Sequence, residues 1–523
     1  MLLYLCKGII NRNGFFTDFK PEHEEEGILM DKNNGAIYDA RKLGKPKMII
    51  LGVQHMFAMF GATILVPILT GLDISTTLLM AGLGTLLFHC ITKFKVPAFL
   101  GSSFAFLGGY AAIKALSPDD PNSMLPYACL GVACAGLIYF ILAAVIKAVG
   151  IEKVMRFFPP VVTGPIIIAI GLGLAPSAVS NCTTNWFLAV IALAVIVVFN
   201  IWGKGMAKII PIILGLLISY GTGLVLYFIS QANPDLIQNV PWLFSGGADA
   251  NGVYQPIFDF TSLNTICDNI SKGHIFGSEG LIGIPIHWDK TVFGGIDYSN
   301  GALIASSIIA IVPIAFATMM EHIGDICAIS STTGNNYIKD PGLHRTLVGD
   351  GLATTLASLF GAPANTTYGE NTGVLALTRV YDPRVIRIAA YFAVAVSFFP
   401  IVSVIIGSIP SCIIGGISFV LYGMISAIGV RNVVENKVDF TKSRNLIVAA
   451  VILVCALGLS SNTVSFAIGS AEITLSPLAV ASIAGIVLNA VFPGKDYKFD
   501  TEDVADAVNF EKEVKPKEKK EKK

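Results

Sequence analysis

The sequence predicts an all-α polytopic membrane protein of fourteen spans arranged as two inverted halves. Three observations predict it: the composition, the apolar segments with their basic flanks, and a pair of broken segments at matching places. Of 523 residues, 54% are hydrophobic and 14% charged, against roughly 25% charged in a soluble globular protein. Soluble domains of this total length need more charge to cover their surfaces. The 51 glycines are spread through the apolar stretches, as membrane helices tolerate and soluble helices mostly do not. A soluble multidomain enzyme, a nucleic-acid binder and a disordered scaffold are excluded at this point.

Spanning the hydrocarbon takes about 20 mainly apolar residues in a helix. Residues 1–47 read as a cytoplasmic N-terminal segment. The first half, 48–230, holds segments 48–69, 74–91, 98–112, 127–148, 160–178, 186–202 and 209–229. An outer loop, 231–300, separates it from the second half, 301–492, with segments 303–326, 347–360, 365–380, 385–406, 412–428, 446–459 and 475–492. The rest, 493–523, is a charged cytoplasmic tail ending in lysines, read as solvated.

Basic residues test this count, because Lys and Arg collect in cytoplasmic loops. With the N-terminus inside, inner loops carry Lys93, Lys95, Lys147, Lys153, Arg156, Lys204, Lys208, Lys339, Arg345, Arg379, Arg384, Arg387, Arg431, Lys437, Lys442 and Arg444. The outer loops carry only Lys114, Lys272 and Lys290. Both termini are therefore expected in the cytoplasm of a multi-pass cell-membrane protein. Equal numbers of acidic and basic residues, 36 of each, give no global field toward nucleic acid. The nine cysteines form no C-x-x-C, and no H-E-x-x-H occurs, so no metal or cofactor is signalled.

The halves look related. Gln54-His55 in the first span matches Glu321-His322 in the eighth, and Pro97 before the third matches Pro363 before the tenth at nearly the same offset. Pro159 and Gly164 match Pro410 and Gly415 at one shared offset. Seven spans per unit is an odd number, so the second copy must enter from the opposite side, an arrangement found in secondary transporters. The third and tenth segments are the short ones, reading Pro97-Ala98-Phe99-Leu100-Gly101-Ser102-Ser103-Phe104 and Pro363-Ala364-Asn365-Thr366-Thr367-Tyr368-Gly369-Glu370. Paired breaks of this kind point to a binding site near the midplane.

Acidic groups inside spans are rare and costly, and each is a functional candidate. Three stand out: Glu321 and Asp325, four apart on one helical face, and Glu370 at the break of the tenth span beside Asn371. Three converging carboxylates repel, so at least one is expected to hold a proton, which can couple proton movement to transport. His55 and His322 read more simply as packing residues. Asp340, His344, Arg345 and Asp350 read as a turn-forming or gating network as readily as a chemical site. Carboxylate acceptors beside free backbone N–H groups suit a small neutral solute with N–H donors next to C=O acceptors, such as a pyrimidine or purine base. An inorganic anion is repelled; a bare cation also fits, which keeps an ion carrier or channel open as a second class. No nucleophile–base or metal spacing supports an enzyme.

At these residues the chain resembles the nucleobase–ascorbate transporter family and, within it, the bacterial uracil-permease branch. The resemblance rests on Gln54-His55-Met56-Phe57-Ala58-Met59-Phe60-Gly61-Ala62-Thr63, Gly101-Ser102-Ser103-Phe104-Ala105-Phe106, Asp340-Pro341-Gly342-Leu343-His344-Arg345 and Asn365-Thr366-Thr367-Tyr368-Gly369-Glu370-Asn371-Thr372-Gly373. It covers about residues 38–492. It implies a 7+7 inverted repeat with short strands in segments three and ten, a core of spans 1–4 and 8–11, and a gate of spans 5–7 and 12–14. It also implies that Glu321 and Glu370 bind the base, with backbone contacts from Phe104 and Gly369 and with Tyr368 shaping the site. Gln54, His55, Ser103 and Asn371 lie in the matching motifs as supporting residues. Asp325, Glu321 and Glu370 would handle the proton. Uracil, protons and the lipid bilayer are the implied partners, with a homodimer through the gate.

Two departures matter. The best-matching uracil carriers have His where this chain has Asp325, and purine members have Asp. That keeps a purine or xanthine carrier as the same-class alternative, and carboxylates with unwound carbonyls suit sodium as well as protons. The outer loop is also longer than the family leads one to expect. At the start, Met1–Met30 is too poorly flanked for a signal peptide. Glu25-Glu26-Gly27 requires purine-rich codons at the spacing of a bacterial ribosome-binding site, so residues 1–29 are expected to be an untranslated leader. Native protein should then have the intact mass of a chain starting at Met30; a species starting at Met1 overturns this.

Overall fold

The computed structural model describes residues 36–459, 464–468 and 471–494. The expected leader at 1–29 and the tail beyond residue 494 lie outside the described residues.

Helix α1 (Lys45–Thr70) ends at Gly71, whose φ of +88° suits glycine. Asp73 then accepts from the Thr76 N–H at 2.8 Å and starts α2 (Ile74–Ile91). Strand β1 (Leu100–Ser102) leads into the half-length α3 (Leu107–Lys114), followed by α4 (Leu125–Val149), α5 (Pro160–Cys182), α6 (Trp186–Trp202) and α7 (Pro211–Ala232). Proline in the first turn opens α4, α5 and α7, where its missing N–H costs no helical bond. The 231–300 loop is folded, with a hairpin of β2 (Ser245–Ala248) and β3 (Tyr254–Pro256) and a helix α8 (Thr261–Ser271). The second half contains α9 (Gly301–Ile311), α10 (Ala315–Thr333) and α11 (Leu343–Leu359), then β4 (Asn365–Thr367) and the half-length α12 (Gly369–Thr378). It closes with α13 (Pro383–Ser397), α14 (Pro400–Gly407), α15 (Ser411–Glu435), α16 (Ser443–Gly458), the hairpin β5 (Val464–Ile468)–β6 (Ala471–Leu475), and α17 (Pro477–Val491).

Among the described residues, seven helical stretches are long and apolar enough to cross a membrane, with α9 and α10 counted together as the continuous Gly301–Thr333, and an eighth if the bent pair α13–α14 counts as one. This is a multi-pass membrane protein. Segment 385–406, expected as one straight span, is instead α13 and α14, bent by 87°. Pro400 has no N–H to continue the helix and holds Phe399 extended, at φ −106° and ψ 96°. The 231–300 loop covers the break: the Gly283 N–H donates to the Phe398 carbonyl at 2.9 Å. It is also tied to α2, where the Thr76 hydroxyl donates to the Pro285 carbonyl at 2.6 Å and Asp73 lies 3.7 Å from His287.

Helix packing falls into matched pairs when the segments are numbered in chain order. Helix α11 packs on α4 as α13 packs on α2, which is nine on four and eleven on two. In the same way α9 packs on α4 and α13 on α1, α6 on α7 and α16 on α17, α15 on α6 and α16 on α5. Helices α5 and α15 pack on each other along their length, and β1 pairs with β4. The α5–α15 crossing is close because glycines line it. A Cβ at Gly171 would run into the Tyr422 carbonyl oxygen and lie 2.8 Å from the Ser426 nitrogen, and one at Gly429 would lie 2.6 Å from the Ile168 nitrogen. Gly173, two residues along α5, has open space. Gly171→Val should therefore lower the thermal unfolding temperature of the purified protein, reflecting an overpacking cost of about 1–3 kcal/mol. Gly173→Val should leave it close to wild type in the same thermal-shift measurement.

Candidate functional site

Two extended segments meet in the middle of the helical bundle, and their backbone groups must all be satisfied there. Strands β1 and β4 are antiparallel, with Leu100 opposite Thr367, Gly101 opposite Thr366 and Ser102 opposite Asn365. The pairing extends at both ends: Ser103 N–H donates to the Ala364 carbonyl at 2.8 Å, and Tyr368 N–H to the Phe99 carbonyl at 3.0 Å. Side chains complete the outer edges. Thr85 Oγ1 accepts from the Leu100 N–H at 2.9 Å, His89 Nε2 lies 2.8 Å from the Ala98 carbonyl, and Thr354 donates to the Asn365 carbonyl at 2.6 Å. Asn365 Nδ2 donates to the Met80 carbonyl at 3.0 Å. Gly101 is required for the Tyr368 ring to close over β1, since a Cβ would lie 2.5 Å from the ring.

The strands deliver the chain into two half-length helices. Phe104, half-buried, precedes α3 and makes an edge-to-face contact with Tyr422 of α15, the centroids 6.4 Å apart. Gly369 opens α12 and Glu370 sits in its first turn, where a helix N-terminus favours an acid. Tyr368 is buried just before it; its hydroxyl donates to the Ser102 carbonyl at 2.9 Å and accepts from Thr63 at 3.3 Å. Helix α10 packs along α12 and carries Glu321 and Asp325, both half-buried on its surface. Asp325 accepts from the Thr367 hydroxyl at 2.8 Å. Asp325 and Glu370 each lie within electrostatic range of Glu321. On the same two helices, Gly324, Gly369 and Gly373 border open space, since a Cβ on any would meet nothing within 4 Å. A small polar cavity under the outer loop and an apolar groove between α5, α15 and α16 lie elsewhere, and neither includes a residue of this cluster.

The supporting residues have definite places. Asn371 Nδ2 donates to the His55 carbonyl at 3.1 Å and lies 3.2 Å from His55 Nδ1, which ties α12 to α1. Gln54 is half-buried next to it, and Ser103 is buried at the end of β1. Reading the sequence missed Thr63, Thr367 and Tyr422. A hydroxyl or tyrosine inside a span gives no signal until the fold shows which carbonyl or carboxylate it meets. Asp340 and Arg345 make contacts away from the carboxylates: Lys95 Nζ lies 2.7 Å from Asp340 Oδ1, and Arg345 reaches the Ile91 carbonyl at 3.5 Å. His344 is held below the usual histidine range by partial burial and by neighbouring Arg345 and Lys147. Asp350 does not belong with them; it is fully buried, 3.4 Å from His322 Nδ1.

Comparison with known proteins places this chain in a family. The Permease family profile (Xan_ur_permease) matches residues 46–464. A uracil permease of Bacillus caldolyticus is 38% identical over 458 residues, covering 86% of this chain and 92% of that protein. A uracil permease of Bacillus subtilis (strain 168) is 36% identical over 467 residues, covering 87% and 94%. Among solved structures, the transmembrane domain of a cyanobacterium bicarbonate transporter, BicA, superposes with a TM-score of 0.53 at 14% identity, covering 86% of this chain and 99% of that one. That likeness is one of fold. The chain belongs to this permease family, as a multi-pass membrane transporter and not an enzyme.

Proposed function

We propose that this protein imports uracil together with protons by alternating access. The observation that carries the proposal is the gathering of Glu321, Asp325 and Glu370 around the crossing of β1 and β4, in a chain whose relatives are named uracil permeases. Uracil is neutral and offers N–H donors beside C=O acceptors. Two carboxylates take up the donors, and the free N–H groups at the start of α12 face the acceptors. In this reading Glu321 and Glu370 hold the base, the backbones of Phe104 and Gly369 add contacts, and the Tyr368 ring shapes the floor. A proton resides on the Glu321/Asp325/Glu370 cluster while uracil is bound, which relieves carboxylate repulsion, and both leave on the inner side.

The paired helix contacts support fourteen segments in a 7+7 inverted repeat. Helices α1, α2, α4, α9, α10, α11 and α13 pack among themselves with the two half-helices as a core. Helices α5, α6, α7, α15, α16 and α17 pack among themselves as a gate. The carboxylates belong to the core, and Tyr422 reaches Phe104 from the gate, so a core moving against the gate opens the site to each side in turn. A homodimer through the gate, a cell-membrane location and cytoplasmic termini complete the proposal.

Radiolabelled uracil uptake into proteoliposomes, with an inward proton gradient and no sodium, tests it. Uptake should collapse with a protonophore and be blocked by unlabelled uracil but not by xanthine. Glu370→Ala removes a charge-assisted hydrogen bond of about 1.5–3 kcal/mol, so uracil should bind roughly 10–100-fold more weakly and uptake should vanish. Xanthine as the better competitor would move the chain to the purine branch, and sodium-dependent uptake would replace the proton.

A further inference from the structure

Behind the carboxylates lies a second polar cluster that the substrate reading does not use. His322 and Asp350 have no exposed surface. His322 Nδ1 is 3.4 Å from Asp350 Oδ2 and 3.4 Å from the Thr367 hydroxyl, and that hydroxyl bonds Asp325 Oδ2 at 2.8 Å. Neither Asp350 oxygen nor His322 Nε2 has a hydrogen-bond partner among the described residues. A buried carboxylate left this way is strongly disfavoured if ionised.

The surroundings leave little else to compensate it. The charged groups that act on Asp350 are Asp325 and Glu321 of α10, both acidic. Helix α4 presents Tyr139, whose hydroxyl is already committed to Thr318 at 2.6 Å. Helix α2 presents the Phe88 ring, edge-on to His322 with centroids 6.2 Å apart, and β4 presents Thr367. The positive charge within reach of Asp350 is then a proton, held by Asp350 itself or by His322.

We propose that His322 and Asp350 form a proton-holding site, wired through the Thr367 hydroxyl to Asp325. The transfer balances. The Asp325 carboxyl proton passes to Thr367 Oγ1 while the Thr367 hydroxyl proton passes to His322 Nδ1. Asp325 is left as a carboxylate, Thr367 unchanged, and the His322–Asp350 pair has one more proton. Occupancy of the pair thus sets the charge of Asp325 without a proton crossing the substrate's space. Uracil exchange needs no change in that occupancy, whereas net transport loads and empties it each cycle. This rests on the proposed proton-coupled uracil transport.

The test compares wild type, Asp350→Asn and Thr367→Val as full-length protein in proteoliposomes, by uracil counterflow at equal pH and by accumulation under a pH gradient. Proton uptake on adding uracil to the purified protein is followed with a pH dye. In wild type, one pH unit drives about tenfold accumulation per coupled proton. Both variants should keep counterflow, lose accumulation, and lose the pH dependence of uracil binding together with the dye signal. A variant that accumulates uracil and takes up protons like wild type overturns the proposal. So does one that runs as a monodisperse, folded protein yet has lost counterflow, because the residue is then structural. If Asp350→Asn does not fold, Thr367→Val decides by the same criteria. Wild type that exchanges no uracil refutes the transport reading itself, and this proposal with it.

Discussion

Backbone polarity in a water-poor interior is the constraint on which the rest depends. An extended segment at membrane depth exposes N–H and C=O groups that lipid cannot satisfy. One such segment alone is untenable; two that pair with each other are not. Strands β1 and β4 satisfy each other over three residues, and Thr85, His89, Thr354 and Asn365 satisfy their outer edges. This explains a cluster of small and hydroxylated residues that otherwise looks wasteful in an apolar bundle. Gly84 belongs to it as well, since a Cβ there would take the space of the Asn365 amide. Asn365 could not then reach the Met80 carbonyl.

Once the strands cross, the helices that follow must start in the middle of the bundle, with their first N–H groups unpaired by helix bonds. The sequence uses this twice and differently. Phe106 precedes α3, and the chain there contributes an aromatic face through Phe104. In α12 the first turn carries Glu370, and Asn371 anchors it to α1 through His55. The same backbone device therefore offers a ring on one side and an acceptor on the other. Tyr368 locks the two together, its hydroxyl reaching across to Ser102 and Thr63.

Much of this is legible in the sequence, and the limits have physical causes. The broken segments announce themselves because Gly, Pro and polar residues interrupt stretches that are otherwise apolar. Glu321, Asp325 and Glu370 announce themselves because charge inside a span is costly. The bend at Phe398–Phe399 is hidden because both arms are apolar, and a single Pro at position 400 is compatible with a kinked but continuous helix. Asp350 reads with Asp340 and Arg345 in sequence because it stands only a few residues along from Arg345. Burial against His322 arises from how α11 lies against α10, which no local pattern encodes. Thr367 is similar: on a strand of three residues, which face meets Asp325 is settled by the register with β1.

The packing pairs and the chemistry have different symmetry. Helix contacts come in matched couples across the two halves, yet all three carboxylates, together with His322 and Asp350, come from the second half. At the position equivalent to Glu321-His322 the first half has Gln54-His55, and where β4 leads to Glu370, β1 leads to Phe104. A site with two identical half-sites would let a small asymmetric solute sit equally well in two orientations. Concentrating acceptors on one side and an aromatic ring with neutral donors on the other gives one preferred orientation. It also confines the costly acidic groups to α10, α11 and α12 and leaves the partner half free to pack tightly. Symmetry in the backbone and asymmetry in the side chains thus answer separate demands, the first on how the halves fit and the second on what they hold.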